Sequence, residues 1–226
     1  MTRVKVVVEG QTEESFIENI LAPTLHHRAI YLTPILLGRS GGRPTYARVQ
    51  KDILLQLKQD RTAYCSTMLD FYGLGAGFPG TPTPEHLSNI EKVKQIEAAV
   101  KGDISERIPD FRPDVRFIPY IQLHEFEGLL FSAPEAFARG INQPGLAPRF
   151  QAVRDKFASP EDINNNRETA PSKRVIEIYR SYRKVLHGTQ AAAAVTIGTM
   201  RQECRHFREW IEQLERLEPD LPAMQS

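Results

Sequence analysis

Three apolar, strand-like runs along this chain are each followed by a carboxylate. Glu9 follows the first run, Asp70 the second, and Glu125 and Glu127 the third. Between the runs, apolar residues recur at the spacing of amphipathic helices. Alternating strands and helices favour a parallel sheet that is covered by helices on both faces. Because the carboxyl ends of parallel strands meet at one edge of the sheet, we expect these carboxylates to share a crevice there.

Four strands are predicted in the first part of the chain. Short β-branched or apolar runs predict strands over 3–8, 30–37, 64–71 and 115–122. Pro34 places the second strand at an edge of the sheet, because proline cannot donate to a central ladder. Helical periodicity predicts helices from Thr12, over 46–59, over 87–100 and from His124, and later ones over 149–157, 172–187, 191–199 and 200–217.

The predicted fold class is therefore α/β. We expect residues 1–133 to form a domain with a mostly parallel sheet of about four strands flanked by helices. Beyond Pro134 the apolar pattern is helical throughout, so residues 134–226 are expected to form an α-helical C-terminal extension. A chain of 226 residues is long enough for one domain with such an appendage, and we expect the two to pack as one structural unit.

Composition narrows the protein class. The apolar fraction of 41% and the charged fraction of 25% are ordinary globular values, which argues against a disordered chain. No apolar run approaches the ~18–20 residues that a membrane-spanning helix needs, and nothing near Met1 reads as a signal peptide. Cys65 and Cys204 are too few for a disulfide framework or a zinc site. We therefore expect a cytoplasmic protein that does not enter a membrane.

A glycine pattern in the loop after Asp70 imitates a nucleotide-binding fingerprint. Residues 75–80 match G-x-G-x-x-G, but a dinucleotide site needs this pattern to turn directly from strand into helix. Here Pro79, Pro82 and Pro84 prevent an immediate helix, so we interpret the segment as a loop at the mouth of the crevice. The chain also lacks a Walker A sequence and is not itself a P-loop ATPase.

The carboxylates at the strand ends predict a metal site. Glu9 precedes a glycine and a helix, which also suits a turn-and-cap residue, and Asp70 also suits an ordinary loop cap. Several carboxylates in one crevice would repel each other unless a hard cation lay between them. Mg²⁺ is typically held by one or two carboxylates plus substrate phosphates. We therefore predict Mg²⁺ or Mn²⁺, with Glu9, Asp70, Glu125 and Glu127 as ligands and with Glu9 and Asp70 as the catalytic pair.

The directions in which the two glutamate side chains of the third motif point depend on its local secondary structure. On a helix, Glu125 and Glu127 would point roughly 160–200° apart, so only one could enter the crevice. On an extended strand end, both would face the same way. His124 before them suits a metal ligand, a donor to phosphate or a buried core histidine.

A basic stretch follows the acidic motifs. Between Arg149 and Arg208 there are twelve Lys and Arg residues against six Asp and Glu residues. Basic residues beside an acidic crevice would offset its repulsion of phosphate. The same charges suit solvated helix faces equally well.

The motifs together resemble those of a known superfamily. The order Glu-Gly-x-Thr-Glu, Leu-Asp-x-Tyr-Gly and His-Glu-x-Glu-x-Leu-Leu-Phe resembles a Toprim-type fold, which occurs in primases, topoisomerases, small RNases and OLD-type nucleases. More narrowly, the chain is similar to an uncharacterised prokaryotic family of small stand-alone Toprim-like proteins. Members of that family are often encoded beside ABC- or AAA-type ATPases and are associated with phage defence. Patterns at 159–164, 169–174 and 182–188 extend the similarity over nearly the whole chain.

The resemblance implies roles for individual residues. Glu9 corresponds to the Toprim glutamate, a metal ligand or general acid/base, and Asp70 to the first Asp of the Asp-x-Asp pair. Tyr72 stands where the second Asp would be, so Glu125 or Glu127 would have to replace that ligand. Glu13, Tyr72 and His124 are auxiliary candidates. The candidates for phosphate contact are Arg167, Lys173, Arg174, Arg183, Lys184 and His187, all of which also suit helix capping or solvent exposure.

The expected function is metal-dependent phosphodiester hydrolysis of DNA or RNA. On this interpretation the protein is a nuclease of phage defence that acts with a partner ATPase. The alternative is a non-catalytic subunit of an ATPase that binds nucleic acid or a nucleotide in its crevice. The absent second Asp favours this alternative, and the three carboxylate motifs favour the enzyme. Primase-like nucleotidyl transfer is a third reading, for which the sequence offers no nucleotide-base site.

Overall fold

The computed structural model describes residues 1–39, 44–75, 77–163 and 169–218. These residues form a mostly parallel sheet flanked by helices, with a helical C-terminal region, which confirms the predicted α/β class. The strands are β1 Thr2–Val8, β2 Ile30–Leu36, β3 Tyr64–Asp70, β4 Phe117–Ile118 and β5 Ile121–Gln122.

The helices alternate with the strands at first and then follow one another. The helices up to the last strand are α1 Gln11–Phe16, α2 Ala22–Leu25, α3 Tyr46–Gln59, α4 Asn89–Arg107 and α5 Pro113–Arg116. A π-helical turn, Ile17–Leu21, joins α1 to α2. The later helices are α6 Glu127–Leu130, α7 Pro134–Gly140, α8 Ala147–Arg154, α9 Pro171–Ile178, α10 Lys184–Val195, α11 Ile197–Glu203 and α12 Arg205–Glu215.

The order of the strands in the sheet is β2-β1-β3-β4, and β5 pairs with β3 beyond the end of β4. All of these pairs are parallel. The chain therefore leaves β1 towards one side of the sheet and returns to its other side through β3. In open parallel sheets, ligands bind beyond the carboxyl ends of the strands at such a reversal of order. Pro34 lies in β2, which is an edge strand as its sequence predicts.

Two apolar clusters cover the two faces of the sheet. One face of β1, including Val4 and Val6, packs in one cluster with α1 and with the later helices, for example Phe137 and Trp210. The opposite face, including Val7, packs against α3 and α4. The alternate residues of β1 thus contact different layers, as the two-residue period of a strand requires. The helical region after residue 133 shares its core with the sheet.

The predicted strand over 115–122 is interrupted. Its first two residues belong to α5, and the rest forms β4 and β5 with Pro119 and Tyr120 between them. Pro119 has no N–H to continue the ladder. The hydroxyl of Thr67 in β3 bridges the gap, since it donates to Tyr120 O at 2.9 Å and accepts from Tyr120 N at 2.9 Å. A side chain thus replaces backbone pairing, and the sheet has five strands rather than about four.

The predicted helix over 172–187 is two helices. The first ends at Ile178, where Tyr179 has extended backbone angles, and the second begins at Lys184. The backbone N–H of Arg183 donates to His187 Nδ1 at 2.8 Å, which caps the start of α10 with a side chain from its own first turn. The break turns Tyr182 into the core. The helix predicted from Thr12 begins one residue earlier, at Gln11.

Candidate functional site

The carboxyl ends of β1 and β3 open into one cleft of about 290 Å³. Glu9 follows the last residue of β1, and Asp70 is the last residue of β3. We call this recess the carboxylate cleft; it is lined by Glu9, Asp70, Tyr72, Gly73, Glu125, Ala170, Lys173 and Lys184. It therefore lies at the β1/β3 reversal of strand order, and it gathers residues from all three acidic motifs and from the basic stretch.

Gly73 allows the second motif to close over the first. Its N–H donates to Asp70 O at 2.9 Å, which makes a tight turn directly after β3. A Cβ atom added at Gly73 would lie 2.5 Å from Glu9 Oε2. Any larger residue would displace the Glu9 carboxylate, so the position of Glu9 depends on a glycine that lies 64 residues further along the chain. The sequence pattern contained this glycine but did not indicate its contact with Glu9.

Glu13 holds the start of α1 beside Glu9. Its Oε2 accepts from the backbone N–H of Gly10 at 3.0 Å, which satisfies one of the donors that a helix start leaves unpaired. The Glu13 side chain is buried, and burial raises its pKa, with a further upward contribution from Glu9 and an opposing one from Lys184. Glu13 is therefore a capping residue whose charge also acts on the cleft.

Asp70 lies at the electrostatic centre of the cleft. Burial raises the pKa of Asp70 well above its ordinary value, and the charges of Glu13, Glu9, Glu127 and Glu125 raise it further. Its Oδ1 atom is buried and accepts no hydrogen bond from the residues that the structure describes. A buried carboxylate oxygen without a donor costs free energy that a cation would recover.

Glu125 and Glu127 lie on different sides of the cleft wall. Glu125 lines the cleft, and its Oε2 accepts from the backbone N–H of Ser172 at the start of α9, at 2.9 Å. Glu127 is the first residue of α6 and is only 1% exposed. Burial raises the pKa of Glu127 to about 7, although Lys184 opposes the shift. The helix expected from His124 begins only at Glu127, so Glu125 lies before it and neither the fully helical nor the extended alternative describes the motif. Of the two glutamates, Glu125 alone lines the open cleft.

Lys184 connects the buried and the open carboxylates. It begins α10, and its Nζ lies 3.5 Å from Glu127 Oε1. Burial alone would lower the pKa of Lys184, but Glu127, Glu125, Asp70 and Glu13 together raise it. The lysine therefore carries a firmly held positive charge among carboxylates. The packing of α10 against α1 and α7 brings this residue to the cleft.

Tyr182 is a buried neighbour of Glu127 and Glu125 to which the sequence analysis gave no role. Its hydroxyl is buried and has no hydrogen-bond partner within the described part of the chain. Burial and the neighbouring Glu127 and Glu125 raise the pKa of Tyr182, so the hydroxyl stays protonated. Its position beside buried carboxylates arises only because the chain breaks between α9 and α10.

Tyr72 and His124 form one stacked pair beneath the cleft. Their ring centroids are 5.1 Å apart, and the planes differ by 17°. Burial lowers the pKa of His124 to about 4, so the ring is neutral, and its backbone has a left-handed φ of 64°. Of the roles left open for His124, a buried core histidine fits this placement best. Tyr72 itself reaches the cleft wall.

The remaining basic residues that were predicted to contact phosphate lie on different surfaces of the protein. Lys173 lines the cleft. Arg174, its neighbour on α9, donates through Nε to Thr169 O at 2.8 Å and packs its guanidinium over Phe157, in a separate groove with Arg149 and Lys156.

Two further candidates serve the start of α10. Arg183 borders an apolar recess beside Val185 and Leu186, and His187 caps the helix through Nδ1. Burial and the charge of Arg183 lower the pKa of His187. Arg167 lies outside the described residues. Of the six predicted phosphate contacts, the structure therefore brings Lys173 and Lys184 to the carboxylate cleft.

The carboxylates share the cleft without yet forming a coordination shell. Among the residues described by the structure, no three His, Cys, Asp or Glu side chains are placed to hold one metal ion together. In that same part of the chain, no helix is both long and apolar enough to cross a membrane.

Comparison with known proteins assigns the chain to a family. The model of a domain of unknown function, DUF4276, matches residues 8–215, and the chain belongs to that family. The matched range contains every residue that lines the carboxylate cleft. Neither the curated proteins nor the solved structures gave a significant match.

Proposed function

We propose that this chain is a Toprim-like protein that hydrolyses phosphodiester bonds of nucleic acid with Mg²⁺ or Mn²⁺. The observation that carries the proposal is the cleft at the β1/β3 reversal, where Glu9 and Asp70 lie with Glu125, Lys173 and Lys184. Its position agrees with the rule for ligand sites in open parallel sheets. The order of the acidic motifs, which resembles that of Toprim domains, supports the same assignment.

The chemistry of the cleft fits a hard divalent cation. Its acidic groups supply carboxylate oxygens, the ligands that Mg²⁺ and Mn²⁺ prefer. The buried Oδ1 of Asp70 accepts no hydrogen bond from the described residues. Burial raises the pKa of Asp70, and the charges of four neighbouring carboxylates raise it further. Glu9 and Asp70 would hold the ion, and Glu125 lines the same cleft. Binding of a shared cation would draw these carboxylates together against their mutual repulsion.

The chain's own residues would then position the phosphodiester. A bound divalent ion supplies Lewis-acid stabilisation of the phosphoryl oxygens and an activated water. Lys173 and Lys184, on the same wall, would neutralise the phosphate, which the carboxylates alone would repel. Gly73 would keep the Glu9 carboxylate in place by its close approach.

Cleavage assays with matched carboxamide variants test this function. Wild type is incubated with single- and double-stranded DNA and RNA in Mg²⁺, Mn²⁺ or EDTA. Metal-dependent cleavage should fall by at least about 100-fold in Glu9→Gln and in Asp70→Asn, since metal contacts contribute several kcal/mol to such transition states. The control is Glu106→Gln, which removes an exposed carboxylate from α4. Cleavage that persists in EDTA, or in Asp70→Asn, would contradict the proposal.

One observation favours a second candidate, a non-catalytic subunit of an ABC- or AAA-type ATPase. Tyr72 stands on the cleft wall where a Toprim domain would have its second Asp, and its ring stacks on His124. Aromatic side chains on such walls bind nucleobases by stacking. In this case wild type should bind single-stranded nucleic acid without cleaving it, and Tyr72→Ala should weaken binding more than Tyr72→Phe. Metal-dependent cleavage by wild type would reject the subunit reading.

A further inference from the structure

We propose that the Lys184 ammonium, held by Glu127, takes the place of a second metal ion, so that the cleft binds one divalent cation per chain. This inference rests on the proposed metal site and specifies its stoichiometry. Two-metal sites for phosphodiester chemistry place their ions about 3.5–4 Å apart. Such a pair needs ligand oxygens for both ions, and the contacts of the cleft show how many oxygens remain for that purpose.

Most of the acidic groups near the cleft already have a partner. Glu127 Oε1 faces Lys184 Nζ at 3.5 Å. Glu13 Oε2 accepts from Gly10 N, and Glu125 Oε2 accepts from Ser172 N. Asp70 Oδ1, by contrast, has neither a hydrogen bond nor an ion pair with the described residues. Asp70 ends β3 and Glu9 directly follows β1, and one or two carboxylates are what one Mg²⁺ or Mn²⁺ usually takes from a protein.

A second ion would lack its own ligands. Tyr72 occupies the wall at the position of the second Asp of a Toprim pair, and the neutral phenol is a poor substitute for a carboxylate. Glu127 is the other candidate ligand, but it is 1% exposed and paired with Lys184. A fixed ammonium beside the first ion would supply positive charge towards a phosphodiester without needing a coordination shell.

Lys184 differs in this respect from the other lysine of the cleft. Lys173 also lines the wall, but it makes no ion pair with any described carboxylate. Lys184 Nζ instead lies 3.5 Å from the buried Glu127 Oε1. Lys173 is thus suited to bind the phosphate of a substrate reversibly, whereas Lys184 is suited to be a permanent positive charge of the site.

Mn²⁺ titration followed by calorimetry tests the inference without reference to activity. Wild type should bind one Mn²⁺ per chain. Lys184→Met should bind that ion at least about tenfold more tightly, because a repelling charge is removed and Glu127 is released. Lys184→Arg should retain the wild-type affinity. Lys58→Met, which removes an exposed positive charge from α3, is the matched control and should change the affinity less than twofold.

The outcomes separate the inference from the function on which it rests. Two ions per wild-type chain would overturn the inference and leave the metal site intact. An unchanged affinity in Lys184→Met would also overturn it, since Lys184 would then lie outside the field of the ion. The absence of any Mn²⁺ binding by wild type would overturn the proposed metal-dependent function as well. If Lys184→Met does not fold, Lys184→Gln replaces it with the same expected tightening, and two ions per wild-type chain would still overturn the inference.

Discussion

Two recesses of similar size are lined by similar residues, but the acidic side chains in them have different partners. The carboxylate cleft has about 290 Å³, and a second recess of about 260 Å³ lies between α4 and α12 at the β4–β5 edge of the sheet. We call the second recess the edge pocket; it is lined by Lys94, Glu97, Ala98, Lys101, Pro119, Tyr120, His206, Glu209, Trp210 and Gln213. Both contain glutamates and lysines beside aromatic rings.

In the edge pocket each glutamate has partners that neutralise or satisfy it. Glu97 Oε1 accepts from the backbone N–H of Ile121 at 2.7 Å and contacts His206 Nε2 at 2.9 Å. Glu209 pairs with Lys94 at 2.6 Å. These contacts join α4 to the edge strand and to α12. In the carboxylate cleft, Asp70 has no such donor in the described chain. Similar composition therefore gives mutually satisfied charges in one recess and a buried carboxylate oxygen without a donor from the described residues in the other.

The same substitution in the two recesses should change stability in opposite directions. In EDTA, Glu97→Ala should lower the free energy of unfolding by about 2–6 kcal/mol, because two buried donors lose their acceptor at about 1–3 kcal/mol each. Asp70→Ala should instead raise it, because it relieves repulsion from Glu13, Glu9 and other carboxylates. Urea unfolding of both variants measures the difference.

Two controls sharpen this contrast. Glu97→Gln keeps an acceptor oxygen for Ile121 N and should destabilise less than Glu97→Ala. Mn²⁺ should stabilise Glu97→Ala as much as it stabilises wild type, and it should not stabilise Asp70→Ala. A sharp loss of stability in Asp70→Ala would identify Asp70 as a structural cap, and the contrast between the two recesses would then be wrong.

The pH dependence of stability is the next largest expected effect. The pKa of Glu127 rises from 4.5 to about 7 on folding, so the folded chain binds more protons between these pH values. Its contribution to stability is complete below pH 4.5 and is lost as the pH rises through 7, with an upper limit of about 3 kcal/mol. The groups that face Glu127 are Lys184, Glu125 and Glu13.

Unfolding in EDTA across pH 4.5–8 measures this loss, and Glu127→Gln should flatten the profile. His206 acts in the same direction, because Glu97 raises its pKa against the effect of burial, and its contribution is lost above its ordinary range near pH 6.5. Glu97→Gln removes only that second contribution. Saturating Mn²⁺ should flatten only the part that belongs to the cleft. A profile that Glu127→Gln leaves unchanged would place Glu127 outside the coupled group.

The fold could be predicted where local pattern and tertiary environment agree. The helix over 46–59 has the predicted bounds, because its apolar stripe faces one side of the sheet. The strand over 115–122 could not be predicted as two pieces, since the hydroxyl of Thr67 satisfies Tyr120 across 53 residues. The break between α9 and α10 depends on His187 capping its own helix and on burial of Tyr182. Such contacts leave no periodic signal.

The site divides in the same way. The meeting of Glu9 and Asp70 follows from two short parallel strands, whose carboxyl ends must share an edge of the sheet. Sequence reasoning could not show that Glu127 turns inward to Lys184, or that Gly73 closes over Glu9. It also grouped Lys173 with Arg174, which helix geometry turns to different surfaces. Neighbours in sequence on a helix lie about 100° apart, so they rarely share a site.

The smallest expected effect distinguishes these two neighbours on α9. Lys173 lines the carboxylate cleft, whereas Arg174 is anchored to Thr169 O and to the ring of Phe157. If only Lys173 contacts a phosphate, Lys173→Ala should flatten the log–log salt dependence of nucleic-acid binding by about 0.7–0.9, the value for one contact. Arg174→Ala should leave that slope unchanged and lower the melting temperature, because it removes an anchor of the chain before α9. Binding is measured over a salt series in Ca²⁺ to suppress cleavage. Equal flattening by both variants would show that Arg174 also contacts the nucleic acid. In that case the hydrogen bond and ring contact of a side chain within this protein would not mean that its role is only structural.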